Sequence, residues 1–247
     1  MSRMARIVQV YKKELSNGGK LDENAPANLI QPSLDRRINP DAVKEANDLL
    51  VQGKLIALPT DTIYGIACLV ENNAALSRLI EVKNRDPQAK CFAICVSNLT
   101  DIYKWSKVTV DREVLSDLLP GAVTVIFERS KLLNTNLNPF NHLIGIRIPN
   151  DPFVHSLTRL NSPLALTSAN LSGEPSAGSV HEFRKLWPKL DAVFDGGQLN
   201  SGSDPFRLGS TVVDLSVPKK FRIIRKGCAI QKVLTVLRDK HSFEELV

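Results

Sequence analysis

Short helical and strand signals alternate from Asn39 almost to the C-terminus with connections of only a few residues, and that rhythm restricts the chain to a layered α/β core. Asn39 reads as an N-cap and Pro40 as a first helical residue. Ala42, Val43, Ala46, Leu49 and Leu50 then form one apolar face before Gly53. A buried strand, 54–58, follows and stops at Pro59. The same alternation predicts a helix through Leu76, Leu79 and Ile80 that ends near Lys83, a strand over 92–96, a helix over 114–119 and a strand over 122–127. Strands over 143–148 and 164–167 flank a helix over 153–160. Ser179 and Glu182 form a capping box for a helix that holds Phe183, Leu186 and Trp187. Strands over 192–195, 211–215 and 221–225 precede a closing helix over 230–237, while 16–38 and 131–142 read as loops. The expected organisation is a partly flexible N-terminal extension, 1–38, and one domain, 39–247.

With 43% hydrophobic residues in 247, the chain can bury a full core without staples. Cys68, Cys91, Cys95 and Cys228 sit in apolar runs with no CxxC pair and no histidine at zinc-ligand spacing, which points to buried thiols in a reducing compartment. His142, His155, His181 and His241 lack the i,i+3 or i,i+4 partners of a metal site, so none is expected. No apolar run is long enough for a membrane span. The first thirteen residues are basic and acid-free, as in a weak mitochondrial presequence, but Glu14, Asp22 and Glu23 follow. The expected location is cytoplasmic, with a mitochondrial pool compatible. A net charge of +6 permits an anionic partner, but taken alone a charge of this size favours a solvated basic face.

Two clusters carry the candidate chemistry: Lys83-Asn84-Arg85, and Ser168-Ala169-Asn170 within LTSANLSG. Each sets two polar side chains at i and i+2. Such positions diverge by roughly 200° on a helix but leave one face of an extended segment. Lys83 and Arg85 are therefore expected just past a helix end, and Ser168 and Asn170 at a strand end. Together they would offer two cations and two neutral groups to one polyanion. Thr60 and Thr62, straight after a buried strand, offer hydroxyls to a ligand or to a local turn, and Tyr64 could wall that ligand. Arg147 lies in an apolar strand and needs an anion.

Besides the KxR and SxN pairs, the chain carries PTDTIYG (59–65), LPGAVTVIF (119–127), IGIRIP (144–149), LGSTVVDL (208–215) and IIRKGC (223–228). In that order they resemble the YrdC-domain family of threonylcarbamoyl-AMP synthases, most closely its animal, single-domain branch. The resemblance spans about 39–228. It implies a twisted, mixed sheet of about seven strands with helices packed outside and a concave open face. It also implies a reaction joining ATP, L-threonine and bicarbonate to threonylcarbamoyl-AMP and pyrophosphate, with magnesium arriving on ATP. The product would pass to a transferase complex that modifies tRNA, with weak tRNA contact by this chain left open.

Carried onto this sequence, the family pattern assigns Lys83, Arg85, Ser168 and Asn170 to the phosphates and the chemistry, and Ser176 and Arg225 to the nucleotide. It assigns Thr60, Thr62, Tyr64, Arg147, Thr167 and Ser210 to threonine. Arg147 is expected to be balanced by threonine's carboxylate, with an internal ion pair as the alternative. Two departures stand out: Ala177-Gly178 follows Pro175-Ser176 where the family often has PT, and Lys90-Cys91-Phe92 replaces a KPL-like run. The loop Leu171 to Ser179 is expected to close over the site. An RNA-binding module is the alternative from another class, but it lacks aromatic stacking platforms and leaves the hydroxyl residues without purpose.

Overall fold

The computed structural model describes residues 5–12, 37–84, 91–171, 173–199 and 205–246. Among them the strands are β1 (Arg6–Gln9), β2 (Ile56–Leu58), β3 (Gly65–Leu69), β4 (Ala93–Cys95), β5 (Ser106–Lys107), β6 (Val123–Arg129), β7 (Leu143–Arg147), β8 (Leu164–Ser168), β9 (Ala192–Asp195), β10 (Thr211–Asp214), β11 (Lys220–Arg225) and β12 (Glu244–Glu245). Helices α1 (Pro40–Val51), α2 (Asn73–Lys83), α3 (Leu99–Trp105), α4 (Arg112–Leu118), α5 (Pro152–Leu160) and α6 (Ile230–Leu234) connect them. The strands form one mixed sheet in the order β1-β9-β2-β3-β8-β4-β7-β6-β10-β11-β12, with β5 on β6.

The sheet exceeds the expected seven strands for identifiable reasons. β1 comes from the presumed extension and pairs in parallel with β9, Arg6 opposite Ala192. β3 was hidden because its apolar residues directly follow a turn motif. It runs antiparallel to both β2 and β8. β5 and β12 have two residues each and carry no periodic signal.

Alternation along the strands sorts side chains onto two faces. Ala57, Ile66, Val125, Ile144, Ile146 and Ala165 belong to one large apolar cluster, which also holds residues of α2, α3 and α4. Their neighbours Ile56, Leu58, Ala67 and Leu164 join Ala42, Ala46 and Leu50 of α1 and Phe153, Val154 and Leu157 of α5 in a second cluster. This second cover stops short of the other edge: Ala93, Gly145, Ile126 and Val212 on the same face are only half-buried. The uncovered face thus lies over β4, β7, β6 and β10. Ser168 and Arg147 point to it, whereas Thr167 leaves from the opposite face.

Ser179 does not form the expected capping box: its hydroxyl donates to Glu182 Oε1 at 3.2 Å, and Glu182 is ion-paired with Arg207. The segment Val180–Lys189 is a 3-10 helix broken at Phe183 (φ −114°, ψ 27°), with Pro188 unable to donate a helical hydrogen bond. The cysteines are free, but only Cys68 and Cys95 are buried as expected; Cys91 is exposed and Cys228 half-buried. Burial pushes the Cys68 and Cys95 thiols up to about 12, so both are inert. Among the described residues no helix is long and apolar enough to cross a membrane.

Candidate active site

The two polar clusters meet although they lie 85 residues apart. Lys83 Nζ donates to the carbonyl of Ser168 at 2.7 Å, to Asn170 Oδ1 at 3.0 Å and to the Asn170 carbonyl. Ser168 Oγ donates to Asn170 Oδ1 at 2.5 Å, and Asn170 Nδ2 to the Glu174 carbonyl at 2.5 Å. Ser168 ends β8, as predicted. Lys83 departs from expectation, because it is the last residue of α2 rather than beyond it, and Asn84 takes the left-handed cap (φ 45°). Lys83 is also fully buried. Its ammonium clamps the turn that presents Ser168 and Asn170 instead of standing open to a ligand. Arg85 and Lys90 lie outside the described residues.

Arg147 ends β7 and is 6% exposed. Its Nε donates to the Gly121 carbonyl at 3.2 Å, and its Nη2 to Thr62 Oγ1 at 3.0 Å and Asp61 Oδ1 at 2.5 Å. The expectation that no protein acid balances Arg147 is therefore corrected: Asp61, equally buried, is its ion-pair partner. An unpaired charge in this setting would be costly, and the pairing offsets part of that cost. Among the described residues none accepts from Nη1.

Across the neighbouring strands the same row continues. Ser210 Oγ and Thr124 Oγ1 are hydrogen-bonded at 2.8 Å, and Arg225 donates through Nη2 to Ser210 Oγ (3.1 Å) and to the Ser210 carbonyl (2.8 Å). Arg225 is exposed as a residue, but its guanidinium is held against Ser210. Desolvation foremost, and the charge of Arg147 next, lower its pKa. The two guanidinium groups thus lie near enough for the charge of one to act on the other.

The segment 59–64 joins the halves. Thr60 Oγ1 donates to the Ile63 carbonyl at 2.7 Å and accepts from the amides of Thr62 and Ile63, so its hydroxyl takes the local-turn reading. Tyr64 is fully buried, its ring tilted against Phe183 and its hydroxyl donating to the Gly197 carbonyl at 2.7 Å. It does not wall an open site; it anchors β9's exit. The backbone of Tyr64 bonds the Ala169 amide and the Ala177 carbonyl, tying the Arg147 side to the Ser168 turn. Ser176 is half-buried beside Ala177, whose methyl packs in the core. The proposed lid is pinned at Ala177 by Tyr64 and at Gly178 by Leu199.

Close backbone approach explains IIRKGC. A Cβ at Gly227 would lie 2.3 Å from the carbonyl carbon of Ser210 and 2.4 Å from the amide of Thr211. Gly227→Ala should therefore push the Arg225 segment off Ser210, lowering Tm by several degrees and abolishing turnover. Thermal melts and an activity assay check this; wild-type values for both would mean that the two segments do not need to touch.

Sequence reasoning gave no role to Asp61, Thr124 or Asp151. Asp61 stood inside a quoted motif, and its signal was a lone acid between buried hydroxyl residues. Thr124 was the polar residue in an apolar strand. Asp151 was legible only as an N-cap before Pro152.

A mixed sheet whose uncovered face carries two arginines and several hydroxyls defines an α/β domain of the layered class. The chain belongs to the Sua5/YciO/YrdC family, whose model, described as "Telomere recombination", matches residues 48–227. It is 49% identical over 203 residues to mouse threonylcarbamoyl-AMP synthase, covering 81% of this chain and 72% of that one. To the human protein of the same name it is 48% identical with the same coverage. The solved structure of Pyrococcus abyssi Sua5 complexed with L-threonine superposes with a TM-score of 0.75 at 22% identity, covering 97% of this chain. The chain spans 62% of the length of that protein.

Proposed function

We infer that this chain is a threonylcarbamoyl-AMP synthase. The observation that carries the reading is the pair Arg147 and Arg225 converging with Thr62 and Ser210 on the uncovered sheet face to which Ser168 also points. Family membership and the close mammalian relatives supply the reaction.

In this reading the threonine carboxylate takes the Nη1 side of Arg147, with Thr62 and Ser210 around it, and Arg225, held against Ser210, serves the nucleotide beyond. The threonine amine and bicarbonate condense to a carbamate and water; a carbamate oxygen then attacks the α-phosphate of Mg–ATP, and pyrophosphate leaves. Every species held after the first step is anionic, so positioning and charge neutralisation supply most of the catalysis. Ser168 and Asn170 take the phosphates, together with Arg85 and Ser176, once their mutual bond opens. Lys83 acts by holding their turn. Thr60 and Tyr64 shape the threonine side from behind, and Thr167 contributes to the sheet beneath it.

Magnesium is taken as part of the nucleotide substrate. Among the described residues Glu113, Asp117 and His241 cluster, but Lys240 Nζ already sits 2.8 Å from Asp117 and 3.3 Å from Glu113. The four thiols fit a cytoplasmic location, and hand-over of the product to a tRNA-modifying transferase belongs to the same reading. Pyrophosphate release should require threonine and bicarbonate together. Release that persists when either is omitted would overturn the assignment.

A further inference from the structure

Between the two arginines stands a hydroxyl that neither guanidinium bonds. Thr124 lies on β6, and because Val125 pairs with Ile146, the adjacent residues Thr124 and Arg147 emerge side by side on the uncovered face. On its other side Thr124 Oγ1 meets Ser210 Oγ at 2.8 Å. Ser210 Oγ also accepts from Arg225 Nη2 at 3.1 Å. Both hydroxyl residues are buried.

The Thr124 side chain is seated by its methyl. Cγ2 stands 3.1 Å from the point that a Cβ on Gly145 would occupy, so the missing side chain there makes room for it. Ala93, opposite Gly145 on β4, adds only a methyl to the same floor. A β-branched residue with its methyl lodged in this way is held near one χ1 rotamer, and that rotamer aims Oγ1 at Ser210.

Two hydroxyls that share one hydrogen bond hold two protons and spend one. Among the described residues no group accepts the other. We propose that Thr124 is a positioning residue for the amino-acid substrate: it donates to Ser210 Oγ, so that Ser210, already accepting from Arg225, directs its own proton to the carboxylate beside Arg147. The inference rests on the threonine reading above. With both lone pairs engaged, Ser210 meets the site only as a donor, which suits an anion. Its hydroxyl is also oriented before the ligand arrives, so little ordering remains to be done on binding.

The test is a double-mutant cycle read by calorimetry of L-threonine binding. Thr124→Val keeps the methyl over Gly145, removes the hydroxyl and should weaken threonine about tenfold. Affinity for a non-hydrolysable ATP analogue should stay near wild type, because Arg225 keeps its 2.8 Å bond to the Ser210 carbonyl. Ser210→Ala should weaken threonine at least as much. Adding Thr124→Val to it should cost little more, since the hydroxyl through which Thr124 acts is already gone. Thr124→Ser keeps the donor and should lose far less than Thr124→Val. If Thr124→Val does not fold, Thr124→Ala takes its place in the cycle. Unchanged threonine affinity in Thr124→Val, equal weakening of the ATP analogue, an equal loss in Thr124→Ser, or losses that add in full in the double variant each overturn the inference alone. Absence of threonine binding to wild type overturns the substrate reading beneath it.

Discussion

Arg147→Met should lower threonine-dependent turnover by about a hundredfold or more and destabilise the fold by roughly 3–5 kcal/mol. Both effects come from one buried fork. Methionine keeps much of the stem but strands Asp61, which is 9% exposed in its side chain and bonded to Nη2 at 2.5 Å. An uncompensated carboxylate at that depth is the larger part of the stability loss. The double variant Arg147→Met, Asp61→Asn removes the stranded charge. It should recover most of the stability and none of the activity, because the group that meets the substrate anion is still missing. Denaturant titration and pyrophosphate release separate the two effects. If the double variant regained turnover along with stability, Arg147 would be a structural residue only.

Lys83→Met should likewise cut turnover by about a hundredfold, but by releasing a turn rather than by exposing a phosphate to lost charge. Three acceptors, the carbonyls of Ser168 and Asn170 and the Asn170 side chain, lose a charged donor together. Hydrogen bonds to charged groups contribute roughly 1.5–3 kcal/mol each, and buried acceptors left unmade add to the loss. Arginine should not rescue the variant, since a planar fork cannot replace a compact ammonium in a fully buried position. Steady-state kinetics should show kcat falling far more than the threonine KM rises. A loss confined to threonine KM would place Lys83 on the other half of the site.

The stability of wild type should also depend on pH. Because burial raises the folded pKa of Asp151, the N-cap of α5, to about 6, its favourable contribution is complete below the unfolded value near 3.8 and is lost as pH rises through about 6. The residue therefore holds a cost at neutral pH that the fold tolerates.

Much of the element order was legible from the sequence because it depends on local chemistry. Asn39 caps α1 where expected, its Oδ1 accepting from the Asp41 amide at 3.1 Å. β8 delivers Ser168 at its end, and the apolar runs of β6, β7 and β10 fall where their periodicity put them. The motif strings identified the family, since each marks a place where backbone or polar groups must meet. Gly227 against Ser210 is one such place. The caps and the strand runs are set by residues close together in the chain, so propensity, caps and alternation suffice to find them.

What sequence left undecided are the partners that come from far along the chain. Whether Arg147 met a substrate or an acid depended on Asp61, 86 residues away, and only the loop crossing after β2 settles that. Whether Lys83 stood open or buried depended on how α2 packs against the end of β8. Tyr64 looked like a wall and proved to be an anchor because β9 returns beside β2. A side chain's type states which contacts it requires. Desolvation and three-dimensional proximity decide which group supplies them, and in this chain those are properties of the folded sheet.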